Sequence, residues 1–466
     1  MMKYFISLFA CLLAFSSLQA EPAVNLVVYP VPEGVPVNHS FTVKVRSPGG
    51  EWKEVSCYEV LVGMHHPFSS SMACFDFANT VEVSVTSNRR DIRSARIRPL
   101  SYGMKPEVND HTLTFTLTEP RNLSIEINGD TVGNLHLFAS SIETDRPDPH
   151  DPNVIYFGPG LHAKQGELRV SSGKTVYLAG GAVVQTGIVC DYAENVRILG
   201  RGVLYHRDGG AIQITHSKNV VVDGLAVVDP NGYAVTAGES KNVTIRNLKS
   251  FSSKGWGDGI DLFCCSDVLI DGVFMRNSDD CIAIYGHRWK FYGDSRNITV
   301  QNSTLWADVA HPVNIGTHGD EVHPETLENL TFSNIDILEH NEPQIDYQGC
   351  IAINVSDENL VRHVRVEDLR VEDFTKGQLL TLRVAYNRMY AKAPGRGIED
   401  VRFKDVTYNG THANLSLIAG YDDTREVKDV VFANLTINGV HIHKADKARF
   451  FVGEHVQGIA FLAPDE

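Results

Sequence analysis

Three aspartates stand close together in the chain. Asp258 lies in Gly257-Asp258-Gly259-Ile260-Asp261, and Asp279 and Asp280 are adjacent, just ahead of Cys281-Ile282-Ala283-Ile284. Asp258 and Asp279 are twenty-one residues apart, about one coil of a β-solenoid, whose coils stack at roughly 4.7–4.9 Å. That spacing puts the three carboxylates on one patch of one face. Like charges so close oppose joint ionisation, so one acid keeps its proton near neutral pH. A protonated carboxyl beside ionised ones is the equipment for breaking a glycosidic bond, one group protonating the leaving oxygen while another activates water. His311, in Ala310-His311-Pro312, follows about one coil later and falls next to the patch. Trp256, Trp289 and Trp306 lie in the same stretch with Tyr285 and Tyr292, and aromatic faces suit the C–H faces of sugar rings. Asp261 alternates with apolar neighbours and is a further polar position at the edge. Asp267, Asp271 and Asp294 read as turn residues.

The elements that must position these side chains are legible as a repeat. Asn195, Asn219, Asn242, Asp267, Asn297, Asn329, His363, Asp400 and Asp429 each open the same short template, an apolar–polar–apolar strand closed by a turn residue. The intervals begin at 23–25 residues and lengthen as loops are inserted. Repetition at this period, in short β-branched strands without helical periodicity, predicts a right-handed parallel β-helix over 151–466. Asn at the repeat head tolerates left-handed turns and can stack as a ladder. The long later inserts can wall off one end of the groove, and segment 444–466 is expected to cap the helix. Ahead of it, 25–29, 40–45, 80–85, 112–117 and 123–128 alternate with period two, which predicts an antiparallel β-sandwich over 21–150. Three prolines and three aspartates in 144–153 mark the junction.

Bulk properties narrow the function further. A chain of 466 residues suits a solenoid plus a second domain. A net charge of −15 argues against nucleic acid and against an anionic membrane surface. Residues 1–20 read as a secretory signal, with Lys3 before an apolar run too short to span a bilayer. No later stretch reads as a membrane span, so the mature protein is expected outside the cytoplasm, secreted or periplasmic. Cys11 leaves with the signal; Cys57 and Cys74 could bridge, and Cys264, Cys265, Cys281 and Cys350 read as core filling. The cysteine spacing is not that of a zinc site. His65-His66 reads as a solvated loop pair.

The run from Gly257 to His311 resembles glycoside hydrolase family 28, the polygalacturonases, and its clan relative family 49, the dextranase and isopullulanase group. The matching residues are Asp258 in Gly-Asp-Gly-Ile-Asp, Asp279 and Asp280 before Cys-Ile-Ala-Ile, and then His311; Arg383, in Leu382-Arg383-Val384, stands for the arginine motif. The resemblance implies Asp279 as general acid, Asp258 and Asp280 as the pair that orients and deprotonates water, and inversion at the anomeric carbon. It implies no metal and no cofactor. His311, Trp256, Asp261, Trp289 and Arg383 are the expected substrate-binding residues. Polygalacturonases usually carry a lysine two residues after the arginine, where this chain has Ala385. That loss of a cation, together with the N-terminal β-domain, favours a neutral α-glucan of dextran type as the polysaccharide or oligosaccharide substrate, with pectic galacturonan second. A calcium-dependent lyase and a non-catalytic sugar-binding solenoid are the rival readings.

Overall fold

The computed structural model describes residues 25–163, 166–205, 208–445 and 449–463. The expected signal over 1–20 lies outside the described residues. Among them, no helix is long and apolar enough to cross a membrane.

Strict alternation along Val81–Ser87, buried at every second residue, builds one face of the N-terminal sandwich. Its smaller sheet runs Lys53–Val55, Phe41–Arg46, Val81–Ser87, Thr112–Leu117, Glu107–Asn109. The facing sheet runs Leu26–Val28, Phe68–Phe77, Leu135–Ser141, Arg121–Ile127, Ala95–Arg98, with Cys57–Val62 paired to Phe68–Phe77. The sandwich is not wholly antiparallel, because Leu135–Ser141 pairs in parallel with Phe68–Phe77. Cys57 and Cys74 are free thiols. Cys57 lies opposite Ala73, so its side chain shares Ala73's face and enters the sandwich core, while Cys74 points the other way. A one-residue offset between neighbouring strands thus rules out the bridge.

From Val154 the chain coils as a parallel β-helix. Early coils carry three short strands, such as Glu194–Gly200, Val203–Tyr205 and Ile212–Thr215, each paired in parallel with its counterpart in the next coil. Two of the three faces join into one 19-stranded sheet, and the third forms an 11-stranded sheet. The inward Val, Ile and Leu residues of all faces make one continuous core. The repeat heads behave as their chemistry requires. All nine, from Asn195 to Asp429, have φ between 49° and 57°, a region open to Asn and Asp at small cost. Their side chains also form rungs, with Asn219 donating to Asn195 at 2.9 Å and Asn242 to Asn219 at 2.7 Å.

The final segment does not cap the helix but adds another coil. Phe450–Val452 and Val456–Leu462 stack on the preceding strands of the two sheets.

The sandwich is locked to the solenoid. Arg98 bonds Glu126 in the sandwich at 2.9 Å and Glu372 in the solenoid at 2.7 Å. Arg276, three residues before Asp279, is fully buried, bonds Asn134 and His136 of the sandwich at 3.0 Å, and lies over the Trp306 ring at 4.0 Å. Trp306 is therefore part of this interface and not of any sugar platform.

Candidate active site

Asp258, Asp280 and His311 occupy equivalent positions of three consecutive coils, each two residues before a strand residue in the register Ile260, Ile282, Val313. The backbone stitches the three turns together: Gly259 N donates to Asp280 O at 2.8 Å, and Cys281 N to His311 O at 2.8 Å. The spacing that stacks is therefore Asp258 over Asp280, and Asp279 sits one residue to the side. Two glycines permit the close approach. A Cβ on Gly257 would come within 2.4 Å of Ser278 Oγ, and one on Gly259 within 2.2 Å of Cys281 O. Asn277 braces the same turn by donating to Ser250 and Ser252 at 3.0 Å and to the Gly257 carbonyl at 3.2 Å.

The result is convergence. One oxygen each of Asp258, Asp279 and Asp280 lies within 4.8 Å of the others. They face a cleft of about 320 Å³ whose walls include Asp261, Tyr233, Trp256, Arg288 and His318. Asp280 is buried and saturated. Its Oδ1 accepts from His311 N at 3.1 Å and His311 Nδ1 at 2.7 Å, and its Oδ2 accepts from Asn314 at 2.8 Å and Tyr285 at 3.0 Å. These four donors fill the lone-pair sites of a carboxylate. Burial opposes the charge on Asp280, but His311 and the other donors outweigh it and hold the carboxyl below its usual range. Burial likewise opposes charge on His311, yet Asp280 and the Tyr347 carbonyl raise it to about 9. The two form a buried carboxylate–imidazolium pair.

The neighbouring acids go the other way. Burial, then the charge of Asp280, pushes Asp279 up to about 7. Burial, then Asp261, Asp279 and Asp280, raises Asp258 well above the carboxylate range, and Asp261 is raised well above it too. One oxygen each of Asp258 and Asp261 is buried without a hydrogen-bond partner among the described residues. Asp279 is the least enclosed of the three converging acids. The three-acid cluster has the donor set of a hard divalent cation as well as of an acid–base pair.

Trp256 and Trp289 are exposed, at 64% and 54%, and both have left-handed backbones, φ 60° and 53°. A bulky residue held there is strained, and such strain concentrates at ligand sites. Trp289 sits in a tight turn closed by Arg288 and Phe291 and lines a second hollow of about 560 Å³. The two hollows share Tyr233, Trp256 and Arg288, so the cleft continues over the 11-stranded sheet toward the N-terminal coils. At the other end, the inserts carrying Glu342, Gln344, Tyr347 and Tyr390 form its wall, with Gln344 bonded to the Tyr390 hydroxyl at 3.0 Å.

Arg383 is not brought to the carboxylates. It lies on Leu380–Val384, three coils beyond Ile282–Tyr285, and is held by the Asp346 carbonyl at 2.5 Å. Tyr292 stacks on His287 at 4.1 Å, outside the cleft lining. Asp267, Asp271 and Asp294 serve turns and ladders as expected, accepting from Asn297, Asn302 and Thr326 at 2.7–2.8 Å. His65 and His66 are exposed.

Residues 205–343 match glycosyl hydrolases family 28. The match takes in all three acids and His311, and stops short of Arg383. Curated relatives include a probable endopolygalacturonase D of Neosartorya fischeri, 23% identical over 197 residues, covering 42% of this chain and 36% of that protein. Another is endopolygalacturonase B of Aspergillus niger, 27% identical over 170 residues, covering 36% of this chain and 42% of that protein. The chain thus spans about two fifths of the length of these relatives. Among solved structures, the Yersinia enterocolitica family 28 exopolygalacturonase aligns with TM-score 0.55 at 13% identity, over 83% of this chain and 96% of that one. Dex49A from Penicillium minioluteum aligns with TM-score 0.52 at 14% identity, over 94% and 96%. These likenesses establish the fold, and the second extends over most of the chain.

Several residues around the three acids are not singled out from the sequence. Asn314 alternates with buried strand residues just after His311, so strand periodicity could have found it, and Tyr285, already among the aromatics near the acids, donates to Asp280. Tyr347, Glu342 and Tyr390 come from inserts without a template. Met64 reaches the cleft wall from the sandwich, where Gly63 N donates to Asp308 at 3.0 Å.

Proposed function

We propose that the protein is an O-glycosyl hydrolase that cleaves an α-glycosidic bond of a polysaccharide. The observation that carries the reading is three carboxylates converging in one cleft with proton affinities driven apart, Asp279 up to about 7 and Asp280 down. Asp279, the most accessible, protonates the leaving oxygen. Asp258, which lines the cleft beside Asp279, accepts the proton of the attacking water. Asp280 has no lone pair left for water or for covalent attack, so it serves as the fixed negative charge that His311 anchors and that stabilises an oxocarbenium-like transition state. The acids titrate as a unit. Because Asp258 is itself raised well above the carboxylate range, the productive state, with a proton on Asp279 and none on Asp258, is a minority form of the coupled acids, and activity falls on both sides of one optimum pH. The saturation of Asp280 supports attack by water and hence inversion. The nearest carboxyl oxygens, within 4.8 Å, stand below the roughly 6.5–9.5 Å of inverting pairs. The anomeric form of the first product, read by NMR, decides the stereochemistry.

For the substrate, Arg288 is the informative residue. Among the described residues no carboxylate lies within 4 Å of it, and its polar side-chain contact is His318 Nδ1 at 3.4 Å. Burial, then Arg288 itself, keeps that histidine neutral, down to about 3. A guanidinium in no direct ion pair, though within the field of Asp261 across the cleft, with Lys290 and Arg169 in the adjoining hollow, is suited to a substrate carboxylate. This supports a uronate-bearing α-glycan, the substrate kind in the names of the curated relatives. The neutral α-glucan reading leaned on the missing cation beside Arg383, which lies outside the cleft. Its remaining support is the N-terminal β-domain and the exposed faces of Trp256 and Trp289. The test is incubation of the purified protein with polygalacturonate, dextran and pullulan, followed by reducing-end and product-size analysis. New reducing ends from polygalacturonate alone are expected. Cleavage of dextran alone would establish the neutral reading, an ultraviolet-absorbing unsaturated product would make the reaction an elimination, and binding without release would end the case for catalysis.

A further inference from the structure

A second polar cavity, of about 570 Å³, lies between the sandwich and the solenoid. It shares no lining residue with the catalytic cleft. Its solenoid wall belongs to the 19-stranded sheet, through Lys249, Thr304, Asp336 and Arg370, whereas the cleft lies on the 11-stranded sheet. Four cations line it, Arg121, Arg201, Lys249 and Arg370, against one acid, Asp336. In a chain of net charge −15 that is a local inversion of sign.

Three of the four cations are already committed. Arg201 is held by Asp76 at 3.0 Å, Arg370 by Asp336 at 2.8 Å, and Arg121 by Glu119. Lys249 is not. It is 4% exposed, and its ammonium donates to the Asn247 carbonyl at 2.8 Å. Among the described residues no carboxylate lies within 4 Å of it. Burial, then Arg201, lowers it to about 8, so it is still mainly an ammonium at neutral pH. Buried ammonium groups are costly unless paired, and this one borders open volume. The rest of the wall is rich in hydroxyls and carboxamides, among them Ser140, Ser303, Thr304, Asn122 and Asn302. Such groups pair with polyol hydroxyls.

We propose that this junction cavity is a second saccharide site, which takes a uronic acid residue with its carboxylate on Lys249 and its hydroxyls on the surrounding Ser, Thr and Asn side chains. It would hold an acidic glycan on the protein at a place where no bond is cut. The site stands apart from the hydrolase reading, because it uses none of the cleft residues.

Calorimetric titration of the full chain tests it, with Asp279→Asn as the background so that the probe is not consumed. Trigalacturonate is the probe. Lys249→Met, which keeps the length and apolar stem of the side chain, is expected to bind one equivalent fewer than its Lys249 parent, whatever the cleft contributes. Ser101→Glu, at an exposed rim position of the cavity, is expected to weaken that same equivalent at least fivefold while leaving turnover in the otherwise wild-type chain unchanged. Near-ultraviolet circular dichroism verifies folding of each variant. Equal stoichiometry in Lys249→Met and its parent would overturn the proposal. So would maltotriose binding as tightly as trigalacturonate, which would remove the role of the anion. Inorganic sulfate competing at equal affinity would overturn the sugar assignment, leaving a bare oxoanion site.

Discussion

Replacing Asp279 by Asn should make the protein more stable and nearly inactive. Asn copies the size and neutrality of the protonated carboxyl, and its Oδ1 can still accept from Asp280 N, a bond of 3.1 Å in the native chain. In the native chain the carboxyl is held at about 7 instead of 3.8, mainly by burial and then by Asp280. A folded value above the unfolded one means that the folded state keeps its proton while the unfolded state loses it, so native stability falls as pH rises from about 4 to about 7. Carried through the linkage relation, the cost is about 2 kcal/mol at pH 5 and about 4 kcal/mol at pH 8. Asp258 and Asp261 share the same field and will take up part of it, so these values are ceilings. The variant's advantage over the wild type should therefore grow by up to about 2–3 kcal/mol between pH 5 and pH 8. Urea titrations at the two pH values measure it. Over the same range, loss of a general acid should lower kcat by roughly 10²–10⁴. A stability difference that does not change with pH, or a variant with near-native turnover on the substrate that the wild type cleaves, would refute the reasoning.

Further perturbations separate the roles of the neighbouring groups. His311→Ala leaves the buried Asp280 carboxylate without its cation and should cost about 3–5 kcal/mol near neutral pH. Because His311 is raised to about 9, that penalty should be full below about pH 6.5 and fade as pH rises through 9, as a denaturation series across pH would show. Trp256→Ala should raise KM about tenfold, near 1.4 kcal/mol, with an unchanged melting temperature, because the ring is exposed. Arg383→Ala should leave kcat and KM on the cleaved polysaccharide within about twofold, since the residue lies three coils from the carboxylates. Chelation of divalent ions should leave reducing-end release unaltered. Its abolition would instead assign the three-carboxylate cluster to a bound cation.

Much of the architecture was legible in the chain because its signals are local. A left-handed turn favours Asn or Asp at a fixed place, and eight of the nine repeat heads supply one, His363 being the ninth, all with φ near 55°. Gly257 and Gly259 announce a close approach of two coils, and Asp258, Asp279, Asp280 and His311 then fall together. The errors are those that local signals cannot prevent. Trp306 reads as one more aromatic near the acids, yet it faces the sandwich under Arg276. Arg383 matches a motif but sits three coils beyond the strand that follows Asp280. The junction cavity has no sequence trace, because its walls come from strands separated by more than a hundred residues.

The sequence by itself determined the solenoid, the acids and their gathering on one face, because a fixed repeat length converts position in the chain into position on a face, while the register showed that Asp280 and not Asp279 stacks on Asp258. Tertiary structure alone decided which carboxyl keeps its proton. Asp258, Asp279 and Asp280 are chemically identical, and only burial, the His311 imidazolium and the donors of Tyr285 and Asn314 tell them apart. Desolvation and charge–charge energy depend on separations of a few ångströms between residues far apart in the chain, and no spacing rule carries that information.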